Sequence, residues 1–362
     1  MRPVRILVFA LIAVLLVLGA GIVALRAGWG ATDRAQVAAH WAAPPSRLVM
    51  IDGVPIHVRV EGPAGKEAPV VVMLHGSIVN LHEWDLVAQR LRASYRVVRF
   101  DWPPYGLSGP DPKGNYTTAR AADLMDGLMR ALGHDHFIVA ATSNGSIVAL
   151  EYNRRYPGHV SAMAFSMLPL ELPSQTRKAD WRIKALVAFH QSVLPGWRSH
   201  LFWRLVLKDT TPPGFTPSDE MVDQIYDMNN LPGALERQAR YLAATTKLFK
   251  STDLGAVAQS VRVPVLLQWC DYDTVISQSA DASMKRFTHT KVELIRYPQL
   301  GHFPMWENPD LFTRDLKAFL DRVSSGSAPL SLRFQASDQQ IGEIGIIPFW
   351  AGRGIRTHTQ DN

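Results

Sequence analysis

The sequence contains a serine, an aspartate and a histidine, Ser143, Asp273 and His302, at positions where the three side chains could perform acyl chemistry together. A serine hydroxyl is a weak nucleophile at neutral pH, because it needs a base to take its proton and a carboxylate to orient that base. Attack on a carbonyl also places negative charge on the carbonyl oxygen, and backbone N–H groups stabilise that charge. The patterns around these residues decide whether the chain can supply such an arrangement.

Ser143 lies between an apolar run and a helical pattern. Residues 137–141 are apolar with β-branched members, which predicts a strand buried on both faces, and helix formers follow Ser143 as far as Pro157. A strand that turns at once into a helix forces its tip residue into a sparsely populated backbone region and requires small residues two positions to either side. This turn, a nucleophile elbow, would lift the Ser143 hydroxyl clear of the sheet and direct the backbone N–H of Asn144 to the same point. A serine in an ordinary loop is the alternative.

His302 and Asp273 each follow an apolar run that is typical of a strand, and these are the last two such runs in the chain. In a parallel sheet the loops after the strands meet at one edge, and the acid and then the base follow the nucleophile along the chain. We therefore predict His302 as the base and Asp273 as the acid. Asp271 and Glu171, the latter just past an earlier strand, remain alternative acids.

Backbone donors for the oxyanion are expected in the loop after the apolar run at 70–74. That loop begins at His75 and contains Ser77, whose N–H would pair with that of Asn144. Loss of one such donor typically costs about 3 kcal/mol of activation free energy. The side chains of His75 and Asp101 are interpreted as structural.

Strand and helix patterns alternate along most of the chain. A hairpin is predicted at 48–60, and further strands at 70–74, 96–100, 137–141, 160–168, 263–269 and 291–297. Helices are predicted at 84–91 and 117–132, and from an Asn-Pro pair at 308–309. This alternation predicts an α/β fold, with a mostly parallel central sheet and helices on both faces.

The strand pattern stops at about residue 171 and returns after residue 251. Helical stretches broken by prolines and rich in Trp and Phe fill the interval, which predicts a helical lid over an apolar pocket. A helical subdomain whose aromatic residues only pack is the alternative. The predicted organisation is an anchor at 1–30, a linker at 31–47, a core at 48–170 and 252–323, a lid at 171–251 and an irregular tail at 324–362.

The N-terminal residues 6–25 are uncharged and almost all apolar, which is long enough to span a bilayer as a helix. No convincing small-residue cleavage site follows, so an uncleaved signal anchor is favoured over a cleaved signal. Arg2 and Arg5 favour a cytoplasmic N-terminus and an exported catalytic domain, periplasmic or extracellular, although arginines also follow the apolar run.

The composition is that of a globular protein, with 47% hydrophobic and 19% charged residues among 362. The single cysteine, Cys270, excludes an internal disulfide and a cysteine-rich metal site. The net charge of +6 comes from scattered basic residues, so nucleic-acid binding is not predicted. No metal or organic cofactor is implied, and the oligomeric state is left open.

These motifs together resemble the lid-bearing members of the α/β-hydrolase superfamily, over about residues 49–323. The residues that carry the resemblance are His75-Gly76, Asp101-x-x-x-x-Gly106-x-Ser108, Ala141-Thr-Ser143-Asn-Gly145, Trp269-x-x-x-Asp273 and Gly301-His302-x-Pro304. The resemblance implies the α/β-hydrolase fold, with Ser143 as nucleophile, Asp273 as acid, His302 as base, and Ser77 and Asn144 as oxyanion donors.

The chain departs from the family pattern at five positions. Ala141 and Ser146 stand where glycine is usual, Cys270 and Ser277 replace a glycine and a proline of the acid loop, and Pro104 replaces a glycine. These changes affect fine geometry rather than the three catalytic positions. A serine nucleophile argues against haloalkane dehalogenases and epoxide hydrolases, which resemble this chain but use aspartate at that position.

The sequence thus predicts a serine hydrolase that acts on an ester or related acyl bond of a partly apolar small molecule. Carbon–carbon bond hydrolases, cofactor-free peroxidases and acyltransferases use the same triad and remain alternatives. A catalytically inactive, membrane-tethered binding domain on the same fold is an alternative of another class.

Overall fold

The computed structural model of the protein describes residues 2–26, 32–65, 68–172 and 180–326. Within these ranges eight strands form one sheet, in the order β1-β2-β4-β3-β5-β6-β7-β8. The strands are β1 (Arg47–Ile51), β2 (Val54–Glu61), β3 (Val70–Leu74), β4 (Arg96–Phe100), β5 (Phe137–Thr142), β6 (Val160–Ser166), β7 (Val265–Cys270) and β8 (Val292–Tyr297). Strand β2 is antiparallel to both of its neighbours and the other pairings are parallel, which confirms the predicted mostly parallel sheet.

In the described residues the helices precede β1, lie between the strands and follow β8. They are α1 (Arg2–Arg26), α2 (Arg34–Trp41), α3 (Asp85–Leu91), α4 (Thr118–Ala131), α5 (Asn144–Arg155), α6 (Trp181–Val193), α7 (His200–Thr210), α8 (Asp219–Asn229), α9 (Ala234–Ser251), α10 (Leu254–Gln259), α11 (Ala280–Met284), α12 (Pro304–Glu307) and α13 (Pro309–Ser324). A short 3-10 helix, Leu81–Trp84, precedes α3.

Helices cover both faces of the sheet. Apolar side chains of α4 and α5, such as Leu128 and Leu150, pack on one face, whereas Leu91 of α3 and Phe312 of α13 pack on the other. Every residue of β5 and β7 is buried, as expected of strands covered on both faces. The loops after β3, β5, β6, β7 and β8 therefore all lie at one edge of a sheet that is packed on both faces.

Helices α6 to α9 lie between β6 and β7, in the segment predicted as a lid. Residues of α7 and α8 form an apolar cluster with the loops that follow β3 and β8. The buried members of this cluster are Val79, Phe202, Trp203, Leu207, Val222, Ile225, Phe303 and Trp306. The inserted helices are thus packed onto the edge of the sheet at which the predicted site residues lie.

The N-terminal segment contains two helices of different character. Within α1, Pro3–Ala24 is long and apolar enough to cross a membrane, a criterion that an N-terminal signal sequence also meets. Helix α2 lies in the predicted linker and packs on the end of α8, where Val37 and Trp41 contact Met228 and Leu231. The predicted C-terminal tail lies outside the described residues from 327 onward.

Candidate active site

Ser143 occupies the sharp turn between β5 and α5. Its backbone has φ +48° and ψ −128°, a region that residues with side chains rarely adopt, and its side chain is nearly buried. Two residues later, a Cβ on Gly145 would lie 2.5 Å from the carbonyl oxygen of His75 and 2.7 Å from that of Leu74. The turn therefore needs its glycine because α5 begins against the backbone at the end of β3.

The loop after β3 lies directly against this turn. A Cβ on Gly76 would be 3.3 Å from the Cβ of Ser143. The Ser77 hydroxyl oxygen accepts hydrogen bonds from the Asn144 side-chain amide at 2.6 Å and from the Tyr105 hydroxyl at 2.9 Å. The structure thus brings Ser77 and Asn144, the predicted oxyanion donors, together beside Ser143.

His302 and Asp273 form a hydrogen-bonded pair in which His302 Nδ1 is 2.5 Å from Asp273 Oδ2. The other carboxylate oxygen of Asp273 accepts the backbone N–H groups of Val275 at 2.5 Å and Ile276 at 3.0 Å, which holds the carboxylate in place. The backbone N–H of His302 donates to the Thr210 carbonyl at 2.9 Å. Because Nδ1 faces a carboxylate, it carries the hydrogen, and Nε2 is left free to accept a proton.

The two alternative acids have other partners. Asp271 pairs with Arg296 at 2.7 Å on the protein surface. Glu171 is exposed and lies 3.9 Å from Arg286. Among the three carboxylates, only Asp273 is hydrogen-bonded to His302 in the part of the chain that the structure describes.

Two glutamates near His302, the buried Glu83 and the partly buried Glu307, were not identified from the sequence. Glu83 accepts the backbone N–H of Gly76 at 3.0 Å, and Glu307 accepts that of Phe303 at 3.0 Å. Burial raises the pKa of both carboxyl groups, that of Glu83 to about 7. Neither glutamate belongs to a recognisable motif. Glu83 lies seven residues after Gly76 and Glu307 lies five residues after His302, and these spacings are the only signal of the two residues in the sequence.

The charge around His302 favours its protonated form. Burial by itself lowers the pKa of this imidazole, but the negative charges of Asp273, Glu83 and Glu307 outweigh burial and raise the pKa above its usual value of 6.5. Since Glu83 bonds Gly76 and also acts on His302, the loop after β3 and the imidazole share one electrostatic environment. Negative charge on this side stabilises the imidazolium that forms when a base accepts a proton.

His75 and Asp101 contact the core beneath the turn. Asp101 bonds the imidazole of His57 at 2.7 Å and accepts the backbone N–H groups of Leu81 and Leu107. Burial raises the pKa of Asp101, but the contact with His57 outweighs it and lowers the value to about 2. The His75 ring stacks on Trp102, and burial lowers its pKa to about 4. These contacts fit the structural roles predicted for both residues.

Within the described ranges, no group of three or more His, Cys, Asp or Glu side chains is arranged to hold a metal ion.

The family model of the α/β-hydrolase fold matches residues 69–309. A probable oxidoreductase, EphD, from Mycobacterium tuberculosis is 28% identical over 340 residues, which cover 87% of this chain but 56% of that protein. The chain therefore spans just over half the length of this curated relative.

Other proteins that are similar to this chain are named for different reactions. A pimeloyl-[acyl-carrier protein] methyl ester esterase from Nitrosospira multiformis is 24% identical and covers 70% of this chain and 95% of its own length. A bacterial membrane phospholipase A superposes with a TM-score of 0.61 at 22% identity, over 86% of this chain and 97% of its own. Relatives at comparable distance are named as a fluoroacetate dehalogenase and an epoxide hydrolase, so the similarity identifies a family rather than a substrate.

Proposed function

The chain belongs to the α/β-hydrolase family, and we propose that it is a serine hydrolase that cleaves an ester or a related acyl bond through an acyl-enzyme. The proposal rests on the His302–Asp273 pair, in which the imidazole keeps Nε2 free. In the same chain Ser143 occupies a strained strand-to-helix turn. Strain at a residue that could otherwise relax is typical of a functional turn. A serine at this turn favours an acyl-enzyme intermediate.

In this mechanism Ser143 Oγ attacks the substrate carbonyl carbon while His302 Nε2 accepts the hydroxyl proton. The tetrahedral intermediate collapses as His302 returns that proton to the leaving-group oxygen, which departs as an alcohol and leaves Ser143 acylated. A water molecule then gives a proton to His302 Nε2 and attacks the acyl carbon. The bond between this carbon and Ser143 Oγ breaks as His302 returns the proton to Oγ, which releases the acid product and restores the Ser143 hydroxyl. Asp273 keeps the hydrogen on Nδ1 and stabilises the imidazolium in both steps.

The oxyanion is stabilised by the backbone N–H groups of Ser77 and Asn144. Their side chains are hydrogen-bonded to each other at 2.6 Å, which keeps the two donor segments at a constant separation. Preorganised donors of this kind stabilise the transition state because they need not reorient as charge develops.

The substrate we propose is a partly apolar small molecule. Phe303 follows His302 directly, and Val79 lies in the loop that contains Ser77. Both side chains belong to the apolar cluster that the inserted helices complete. Apolar walls with a few polar groups are typical of small-molecule sites. We further propose that α1 tethers the enzyme to a membrane, with the catalytic domain on the exported side.

The test is labelling of the full-length protein in detergent with a fluorophosphonate probe, followed by hydrolysis of p-nitrophenyl esters of two to twelve carbons. Labelling and hydrolysis are expected for the wild type and for Ser94→Ala, which removes an exposed serine. Ser143→Ala and His302→Ala are expected to abolish turnover with nearly unchanged thermal unfolding. Retained turnover in either variant would refute the assignment, and wild-type labelling without ester hydrolysis would favour the carbon–carbon hydrolase alternative.

A further inference from the structure

The loop that carries Ser77 contains an unusual backbone conformation at the next residue, Ile78. Its φ is +63°, in the left-handed region, where a β-branched side chain is strongly disfavoured. Such a conformation persists only when surrounding contacts hold it, and it marks segments whose shape matters for function. The contacts that hold Ile78 are therefore informative.

The core of the protein holds the loop on one side of Ile78. Gly76 donates its N–H to Glu83 at 3.0 Å, and the Ser77 hydroxyl is bonded to Tyr105 and Asn144. These bonds fix the two residues before Ile78. They do not touch the peptide group that follows it.

An asparagine of the inserted helices holds that peptide group. The side-chain amide of Asn229, the last residue of α8, donates to the Ile78 carbonyl at 2.7 Å and to the Ile225 carbonyl at 2.7 Å. Its oxygen accepts from the Gln238 side chain at 2.7 Å. Asn229 is 1% exposed, so the amide is fully buried and both its hydrogens are used.

The end of α8 that carries Asn229 also packs against α2. Trp41 Nε1 donates to Asp227 at 2.8 Å, and Val37 and Trp41 pack against Met228. The position of Asn229 therefore depends on the packing of two helices outside the α/β core. A shift of α8 away from the sheet would break the bond to Ile78.

From these contacts we propose that Asn229 is a positioning residue that holds the oxyanion loop in its active conformation when the inserted helices are packed on the site. Loss of the bond lets Ile78 return to negative φ, which moves the peptide groups beside Ser77 and displaces its N–H from the oxyanion. Packing of α8 on the loop after β3 thus keeps the Ser77 N–H in position for the oxyanion. This inference rests on the proposed function.

The first test is the steady-state kinetics of Asn229→Ala in the full-length protein, with an ester that the wild type hydrolyses. Because loss of an oxyanion donor costs about 10²–10³ in kcat, a displaced donor is expected to lower kcat on the order of 10–100-fold, with KM changed less than about threefold. Asn229→Asp, which keeps the shape but removes the donor, is expected to lose at least as much.

Asn230→Ala is the matched control. Asn230 is also buried at the same end of α8, but its side chain bonds the backbone of Arg198, at 2.8 and 2.9 Å, within the inserted helices. Its removal is expected to loosen these helices without releasing Ile78. A kcat loss in Asn230→Ala equal to that in Asn229→Ala would overturn the proposal, because general loosening would then explain both.

The second test removes the strain itself. Glycine adopts positive φ without steric cost, so in an Ile78→Gly background Asn229→Ala is expected to lower kcat less than about threefold. If Asn229 only stabilised the fold, the effects of Asn229→Ala and Ile78→Gly on kcat would be independent of each other. A loss of kcat on Asn229→Ala that is as large in the Ile78→Gly background as in the wild type would therefore refute the proposal. Absence of ester hydrolysis and labelling in the wild type would instead refute the proposed function.

Discussion

Replacement of Asp273 by asparagine tests the catalytic assignment most directly, because the two oxygens of this carboxylate have different partners. Oδ1 accepts the N–H groups of Val275 and Ile276, and Oδ2 faces His302 Nδ1 at 2.5 Å. In Asp273→Asn the amide oxygen is expected to keep the two backbone donors. The reversed amide would leave both donors unsatisfied, at about 1–3 kcal/mol each, or about 2–6 kcal/mol together.

The amide nitrogen of this variant therefore faces His302 Nδ1. Since an NH₂ group only donates, Nδ1 must become an acceptor, and the ring hydrogen moves to Nε2. The imidazole then has no lone pair for the Ser143 proton. The same change in serine-protease triads lowers kcat by about 10⁴, which corresponds to about 5.4 kcal/mol of activation free energy.

The assay is ester hydrolysis at pH 7.5, with thermal unfolding as a check on folding. Asp271→Asn is the matched control, because Asp271 pairs with Arg296 at the surface, and its activity is expected to stay within about twofold of the wild type, as is usual for a surface pair. The reasoning would be refuted if Asp273→Asn kept more than a tenth of wild-type kcat. An equal loss in Asp271→Asn would show that the acid is not specific to position 273.

The remaining predictions concern the pH profile and the turn. His302 must be neutral to act as a base and its pKa is raised, so kcat/KM is expected to be lost as pH falls through a value above 6.5. Glu83→Gln removes one of the charges that raise this pKa, so the acid limb should move to lower pH; an unmoved limb between pH 5 and 9 would contradict this. Gly145→Ala should destabilise the protein by about 1–3 kcal/mol in denaturant unfolding, because the new methyl group meets two backbone carbonyls, whereas Gly214→Ala, with open space around it, should not.

Local signals in the sequence were sufficient for most of the elements. The Asp52-Gly53 pair predicts the hairpin between β1 and β2, and both residues have positive φ as such a turn requires. Asn308 and Pro309 predict the start of α13, where the Asn308 side chain accepts the Leu311 N–H at 3.1 Å. These features depend on the backbone preferences of a few adjacent residues, so they can be read without knowledge of the fold.

The site residues could also be predicted from local patterns, because Ser143, Asp273 and His302 each follow a strand of the parallel sheet. Their catalytic roles stay predictions. The sequence favoured Asp273 as the acid but left Asp271 and Glu171 as alternatives, since Asp271 lies only two residues away and the choice depends on which side chain points at His302. Only the structure pairs Asp273 with the imidazole.

Local sequence patterns were enough to predict the fold family, the sharp turn at Ser143 and the loops that contain Asp273 and His302. Only the tertiary structure shows which carboxylates lie around His302 and which side chain bonds the loop that contains Ser77. Glu83 and Glu307 belong to no motif, and Asn229 is 151 residues from Ile78 along the chain. Contacts of this kind arise where separate elements pack against each other, and their partners are set by the arrangement of helices around the sheet rather than by the preferences of neighbouring residues.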